Sequence, residues 1–282
     1  MERGKIGIIG GSGVYNIEGI ELIKEHTVET PFGSPSSEVI QAKLSGTEFF
    51  FIPRHGKNHN FLPSEVNYRA NIFALKKMGV DYIISISAVG SLKEELPPTT
   101  FVLVDQFIDW TKGKRERTFF ENGIVGHVSC ADPIEKSLQK VLAESCQSTG
   151  LSHSVGGSYI CIEGPQFSSR AESHLYRSFG ASVIGMTNVP ESYLAKEAGI
   201  AYSTVAMVTD FDCWKDEHCT VDEIMAVMKT NNENAQKLLI DVLPKLEKNK
   251  PDFPRENAIG VMTPKERWTT DHKEILDVLL DK

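Results

Sequence analysis

Three short segments of small, hydroxyl-bearing and basic residues follow predicted strands, and together they could hold an anion. Ser12 lies in a glycine-rich turn after the first apolar run, Arg54 and His55 follow another run, and Ser87 ends a third. Glycine turns let backbone N–H groups approach an anion, arginine can grip an oxyanion through two parallel hydrogen bonds, and histidine can add a further donor. The Ser12 turn alone fits an anion site and an ordinary tight turn equally well, but three such segments at successive strand ends favour one shared anion site over a set of structural turns.

A second group of residues has the chemistry to recognise a purine. Asp210 and Asp212 follow an apolar run, and a carboxylate can accept from an amino group or, when burial protonates it, donate to a ring nitrogen. Phe167 could stack on a flat base, while Met186 and Thr187 offer an apolar surface and a hydroxyl. The alternatives are a metal or turn motif for the acidic pair and a core position for Phe167.

The named nucleotide and metal motifs are missing from these segments. Asn16 stands where a dinucleotide fingerprint requires its last glycine, and no P-loop lysine follows the Gly7–Gly13 turn. His55 and His59 have the spacing of zinc-binding histidines, but the Pro53–Gly56 segment opposes a helix and the glutamate of H-E-x-x-H is absent. We therefore expect no metal and no cofactor.

Strands and helices alternate along the chain, as α/β folds require. Hydrophobic runs predict strands over residues 5–9, 38–44, 48–52, 81–88, 100–104, 159–162, 181–186 and 201–208. Helical periodicity and the capping boxes Ser169–Glu172 and Thr220–Glu223 predict helices over residues 66–78, 133–148, 170–179, 191–198, 221–246 and part of 264–280. The sequence predicts one α/β domain over residues 1–248 with a central mixed sheet flanked by helices, then a tail over 249–282 that packs on the domain or a neighbour. The methionines of the 221–246 helix are interpreted as core residues.

The composition favours a globular protein with no nucleic-acid or membrane partner. The 282 residues are 40% hydrophobic and 24% charged, with a net charge of −8. The short basic segment Lys112–Arg117 is interpreted as a solvated loop, not a phosphate-backbone footprint. There is no apolar run of about 18 residues and no signal-peptide pattern, and the five cysteines are scattered without a C-x-x-C pair. We expect reduced thiols and a cytoplasmic location.

Taken together, the motifs resemble the trimeric purine-nucleoside phosphorylase family from about residue 5 to 245. The matching segments are Ile6–Gly13, Pro53–Gly56, Pro63–Tyr68, Asp105–Asp109, Glu163–Ser173, Met186–Glu191 and Thr209–Lys215. The resemblance implies a partly barrel-like mixed sheet and a glycosyltransferase (pentosyltransferase) that cleaves purine nucleosides with inorganic phosphate as co-substrate. It also implies a homotrimer with shared active sites.

The resemblance further assigns roles to individual residues. It implies phosphate binding by Ser12, Arg54, His55, Ser87, Ala88 and Thr187. Contacts with the nucleoside are implied for Phe167, Met186, Asp210, Phe211, Asp212 and, from a neighbouring subunit, His127. Selection at the 5′ end is implied for Ser168 and Val221, and the candidate catalytic residues are Asp210, Asp212 and His55.

Asp210 indicates which base the site prefers. Family members that use 6-oxopurines carry Asn at this position, and an amide can donate to a 6-oxo group, whereas a carboxylate accepts from the 6-amino group of adenine. The implied substrate is an adenine nucleoside with a 5′ alkylthio group, a reaction of purine and methionine salvage. Alternatives are a 6-oxopurine or methylthioinosine phosphorylase, which Asp210 opposes, and a non-catalytic nucleoside-binding protein, which would not need Arg54 and His55. Ser12 and Ser87 replace the threonines common in the family, and the tail matches no family pattern.

Overall fold

The computed structural model describes residues 4–11, 17–215 and 221–280, apart from the side chain of Val221. It contains a mixed β-sheet whose strands are β1 (Lys5–Gly10), β2 (Glu21–His26), β3 (Val39–Leu44), β4 (Thr47–Pro53), β5 (Val80–Ser91), β6 (Phe101–Leu103), β7 (Gln106–Trp110), β8 (His153–Val155), β9 (Ser158–Ile162), β10 (Val183–Gly185) and β11 (Ala201–Phe211). Helices connect and cover them: α1 (Tyr68–Lys77), α2 (Lys136–Ser148), α3 (Arg170–Ser178), α4 (Asn188–Glu197), α5 (Val221–Lys248), α6 (Asn257–Gly260) and α7 (Thr270–Leu279).

Strand β5 is the organising element of the sheet. Along one edge it pairs with β11 from Tyr82 to Ser91. Along the other edge it pairs first with β1, as far as Ser85, and then with β10, starting at Gly90. Among the described strands, this second edge of β5 is unpaired between those two positions, which leaves an opening where a ligand can approach the sheet.

The alternation of side chains explains how the sheet divides the core in two. Phe49 and Phe51 of β4 face one core, with the apolar faces of α2 and α5, whereas Phe50 and Ile52 face the other, with α1, α4 and α7. Successive strand residues point to opposite faces, so a strand buried on both faces is apolar throughout. Burial of each such side chain contributes about 1.5–3 kcal/mol to folding.

The predicted α/β class with a mixed sheet is confirmed, and the capping box of α3 at Ser169 and Glu172 is present. Thr220, the start of the other predicted box, lies outside the described residues. Strands β2, β7 and β8 were not predicted, and α4 begins at Asn188, three residues before the predicted start. The core interpretation of the α5 methionines is wrong, because Met225 and Met228 are 61% and 38% exposed.

The C-terminal tail packs on the body of its own chain. Leu276 and Leu279 of α7 are buried in the core that contains α1 and α4. Asn257 donates to the Leu279 carbonyl at 2.8 Å, and Arg255 forms an ion pair with Asp81 at 2.9 Å. Within the described ranges, no helix combines the length and apolar character needed to cross a membrane.

Candidate active site

A cavity of about 510 Å³ lies at the opening beside β5. Most of the predicted site residues line it: Arg54, His55, Ser87, Ala88, Phe167, Ser168, Met186, Thr187, Asp210 and Asp212. Ser12 and the side chain of Val221 lie outside the described part of the chain. Phe211 and His127 are described, but neither lines this cavity. The strand ends therefore converge as the sequence predicts.

Arg54 is fixed by a buried carboxylate that sequence reasoning did not identify. Its Nε and Nη2 atoms lie 2.6 and 2.9 Å from the two carboxylate oxygens of Glu191, in the first turn of α4. Its Nη2 also donates to Ser85 Oγ at 2.7 Å, and its Nη1 donates to the Ile86 carbonyl at 3.1 Å. The guanidinium therefore reaches the cavity already paired. Glu191 ends a family-like motif, but nothing local in the sequence points to Arg54 as its partner.

His55 is a neutral ring in this position. Burial, followed by the nearby Arg54 charge, lowers the pKa of His55 to about 4. Its Nδ1 lies 2.9 Å from the Phe61 carbonyl, which can only accept, so Nδ1 carries the proton and Nε2 is an acceptor. The sequence expectation that His55 adds a hydrogen-bond donor differs from this geometry. A neutral His55 suits a protonated phosphate oxygen or a sugar hydroxyl.

Two hydroxyl groups complete this part of the cavity. Ser87 Oγ on β5 lies 3.1 Å from Thr187 Oγ1, which follows β10. The buried Tyr159 hydroxyl lies 3.4 Å from Ser87 Oγ and 3.4 Å from the Thr187 amide nitrogen. A Cβ at Gly185 would meet that hydroxyl at 2.0 Å, so only glycine permits this approach. The sequence predicts Tyr159 only as part of a strand and gives it no role in the site.

The two acidic residues lie at the end of the β5 and β11 pairing, where Asp210 is opposite Gly90 and Asp212 follows the last residue of β11. Burial raises the pKa of Asp210 and that of Asp212 above the usual range of a carboxyl group. Thr209 donates to Asp210 at 2.6 Å, and the buried Oδ2 of Asp212 makes no hydrogen bond with the described residues. A Cβ at Gly90 would lie 3.1 Å from Ile184 Cγ2 and at an ordinary contact distance of 3.5 Å from the Asp212 Cβ, so Gly90 is in contact range of this pair.

The remaining walls are largely apolar. Phe167 is 86% exposed, and Met186 packs against Gly164, where a Cβ would lie 2.5 Å from its Sδ. The first half of α5 lines the cavity with Ile224, Met228, Asn232 and Gln236, each four residues from the next. Residues four apart share a helix face, so the sequence spacing alone places these four residues on one face of α5, the face that lines the cavity.

Arg115 shows that the interpretation of Lys112–Arg117 as a solvated loop is wrong at its central residue. Arg115 is 6% exposed, and its Nε pairs with Glu163 Oε1 at 2.8 Å. Nη1 donates to the carbonyls of Met186 and Val189 at 2.6 and 2.7 Å. Nη2 donates to the carbonyls of Glu163 and Ile162 at 2.9 and 3.3 Å. Arg115 therefore joins the end of β9 to the turn that carries Met186 and Thr187.

The two predicted site residues outside the cavity have other contacts. His127 is exposed, and its amide donates to the Gly260 carbonyl of the tail at 2.8 Å. The Phe211 ring packs edge-on against Trp214 with centroids 5.8 Å apart. No group of three or more His, Cys, Asp or Glu side chains in the described ranges could hold a metal ion.

The family model of the phosphorylase superfamily matches residues 5–244. The chain belongs to the phosphorylase superfamily. An S-methyl-5′-thioadenosine phosphorylase of Geobacter sulfurreducens is 47% identical over 279 residues, which cover 98% of this chain and 97% of that relative. A relative of the same name from Rhodospirillum rubrum is 52% identical over 248 residues, covering 87% of this chain and 84% of its own.

Solved structures of the superfamily share the fold. A methylthioadenosine phosphorylase from an antarctic soil metagenomic library matches with a TM-score of 0.93 and 42% identity, covering 99% of both chains. The methylthioadenosine phosphorylase of Schistosoma mansoni in complex with adenine matches with a TM-score of 0.82 and 35% identity, covering 87% of this chain and 92% of that one. The predicted fold is confirmed. The Geobacter relative and the metagenomic structure match over nearly the whole chain, so they extend across the C-terminal tail.

Proposed function

We propose that this chain catalyses the phosphorolysis of 5′-methylthioadenosine to adenine and 5-methylthioribose 1-phosphate. The observation that carries the proposal is the placement of Arg54, Ser87 and Thr187 in one cavity with Asp210 and Asp212. Phosphate-dependent cleavage of a nucleoside requires two parts: residues that can bind an anion, and a carboxyl group that can protonate the leaving base. The names of the relatives over nearly the full chain length support the same substrate.

Phosphate binds at the arginine and hydroxyl end of the cavity. Ser87 and Gly90 are three residues apart on β5, and Asp210 pairs with Gly90. Because a strand rises about 3.3 Å per residue, the Ser87 hydroxyl and the acidic pair are separated by roughly 10 Å along β5. This distance leaves room for a ribose between them. Ala88, which follows Ser87 on β5, joins the phosphate end in the proposal, and so does Ser12, which lies outside the described residues.

The chemical step transfers the ribosyl group from nitrogen to phosphate. A phosphate oxygen forms a bond to C1′ as the C1′–N9 bond breaks, and the electron pair of that bond passes to the purine. The sugar passes through an oxocarbenium-like state, which the bound anion stabilises. Asp210 delivers a proton to N7 of the leaving adenine, while Asp212 orients Asp210 or holds the amino group. The raised pKa of Asp210 suits a group that must hold a proton before it donates it.

The 5′ group is selected by apolar contact. Phe167 and Met186 flank the nucleoside, and Ser168 and Val221 set the 5′ end together with the α5 face. An added methylthio group in an apolar slot is worth about 1–3 kcal/mol, so discrimination against adenosine is moderate. Nucleosides and inorganic phosphate are cytoplasmic metabolites, and we infer that the enzyme acts there without a cofactor.

Release of adenine, followed with and without phosphate, tests the proposal. Purified protein is mixed with 5′-methylthioadenosine, with adenosine and inosine in parallel reactions. We expect release that requires phosphate and that is fastest with the methylthio substrate. Preference for inosine would contradict the base assignment, and binding of nucleoside without cleavage would favour a non-catalytic protein.

The variant Asp210→Ala separates the acid from the phosphate site. General-acid catalysis contributes about 100- to 10,000-fold, so kcat falls by that factor while the KM for phosphate changes little. Asp271→Asn is the matched control, because Asp271 is an exposed acid on α7. An unchanged kcat in Asp210→Ala would remove Asp210 from the mechanism.

A homotrimer that shares its active sites is part of the proposal. His127 is exposed and lies outside the cavity of its own chain, which suits a residue offered to a neighbour. Light scattering is expected to give about 94 kDa, three times the 31.3 kDa chain. Mixing inactive Asp210→Ala subunits with impaired His127→Ala subunits is expected to restore part of the activity. Restoration would fail if each site were built from one chain.

A further inference from the structure

The buried polar network around Arg54 extends beyond the ion pair. Glu191 is 1% exposed, and its Oε1 also accepts from Ser85 Oγ at 2.7 Å and from the Tyr202 hydroxyl at 2.8 Å. Asn188 Nδ2 donates to that same hydroxyl at 2.8 Å and to Ser85 Oγ at 3.0 Å. The network therefore ties the end of β4 to β5, α4 and β11 around one guanidinium.

The five N–H groups of Arg54 are almost fully used. The Nε–H and one Nη2–H donate to Glu191, and the other Nη2–H donates to Ser85, with the Ile9 carbonyl also 3.5 Å from Nη2. One Nη1–H donates to the Ile86 carbonyl. One Nη1–H is left for a ligand in this account of the described residues. Ile86 precedes Ser87 on β5, in the stretch whose second edge is unpaired. This Nη1 therefore lies at the phosphate end of the cavity.

We propose that Glu191 is the positioning residue of the phosphate site, which it serves by fixing the direction of the last Arg54 N–H. The inference rests on the proposed function, because it takes phosphate as the ligand of Arg54. Glu191 cancels the charge that Arg54 would otherwise bring to phosphate. Its benefit to the site is the orientation of the guanidinium, which is held in place before phosphate arrives.

Two substitutions separate orientation from charge balance. Glu191→Asp keeps the charge on a stem one methylene shorter, so the carboxylate loses its two-point contact with the guanidinium. Glu191→Gln keeps the length but removes the charge, and its amide places a donor against an Arg54 N–H. Tyr202→Phe is the matched control, since it removes one hydroxyl from the network and leaves the ion pair intact.

The KM values for phosphate and for 5′-methylthioadenosine are measured separately in the adenine-release assay, with circular dichroism to verify folding. We expect Glu191→Asp and Glu191→Gln each to raise the KM for phosphate about tenfold or more, because a charged hydrogen bond corresponds to about 10- to 100-fold in affinity. The KM for the nucleoside stays within about twofold, and Tyr202→Phe raises the KM for phosphate by only about two- to fivefold.

Three outcomes would overturn the inference. An unchanged KM for phosphate in folded Glu191→Asp would mean that the orientation of the Arg54 guanidinium does not matter for phosphate binding. A lower KM for phosphate in Glu191→Gln would mean that Glu191 only neutralises Arg54, since phosphate would then replace it as the counterion. Equal rises in both KM values would indicate a general structural role. Wild-type protein that releases no adenine with phosphate would instead contradict the proposed function itself.

Discussion

Replacing Arg115 by lysine is expected to destabilise the fold strongly, although both residues carry one positive charge. All five N–H groups of Arg115 meet an oxygen: one carboxylate oxygen of Glu163 and the carbonyls of Ile162, Glu163, Met186 and Val189. A lysine ammonium has three donors, so at least two of these oxygens lose their partner. Water cannot easily replace them, because the side chain is 1% exposed.

The magnitude follows from the two lost bonds. A hydrogen bond from a charged donor contributes about 1.5–3 kcal/mol, so Arg115→Lys should lower the free energy of unfolding by about 3–6 kcal/mol. Domains are stable by about 5–15 kcal/mol, so this is a large share of the total. At about 2 °C per kcal/mol for a chain of this size, Tm should fall by roughly 6–12 °C.

Urea unfolding and calorimetry measure the two quantities, and Arg117→Lys is the matched control. Arg117 lies two residues away and is half-exposed, and its ion pair with Asp109 is 2.7 Å long. Ion pairs at the surface contribute about 0–1 kcal/mol, so the control should change little. A loss below about 1 kcal/mol in Arg115→Lys would refute the reasoning, because the five contacts would then be replaceable.

Three other variants test the site and its titrating groups. Asp210→Asn should shift the kcat/KM ratio from adenine towards hypoxanthine nucleosides by about tenfold or more, which parallel assays with adenosine and inosine measure. The pKa of His55 is lowered to about 4 in the folded protein, so as pH falls the unfolded chain binds this proton first. The free energy of unfolding of the wild type should therefore decrease as pH falls from about 6.5 to 4. In urea unfolding over that range, His55→Gln should show a smaller decrease. Burial raises the pKa of Glu197 to about 7 in the folded protein. Its contribution to the free energy of unfolding is therefore complete below about pH 4.5 and is lost as pH rises through 7. The difference in free energy of unfolding between the wild type and Glu197→Gln should shrink over the same pH range.

The elements that carry the chemistry could be predicted because each has a local signal. Arg54, Ser87, Thr187 and Asp210 all follow apolar runs, and the ends of neighbouring strands in an α/β sheet meet on one side. Strand β2 lacked such a signal. Five of its six residues are exposed, because among the described strands β2 pairs with β3 alone and forms one edge of the sheet. A charged edge strand has no apolar alternation to detect, and its charges oppose pairing with other chains.

The residues that hold the site in place could not be predicted, because their partners are far apart in sequence. Glu191 pairs with Arg54 across 137 residues, and Arg115 binds carbonyls 47 to 74 residues away. A backbone carbonyl has no residue type, so no motif can reveal it as a partner. A buried charge is also uncommon enough that a basic segment is ordinarily expected to be solvated.

This difference changes the physical picture of the proposed phosphate end of the cavity. The sequence suggests hydrogen-bond donors from an arginine and a histidine, whereas the structure pairs Arg54 with Glu191 and places a neutral His55 beside it. Within the described residues, this end of the cavity therefore carries no net charge from these three groups. Under the proposed function, this end offers phosphate one Arg54 N–H whose direction is already fixed, together with the Ser87 and Thr187 hydroxyls. Oriented dipoles in a site that excludes water stabilise charge without reorganising, so a balanced site can still favour the charge distribution of the transition state.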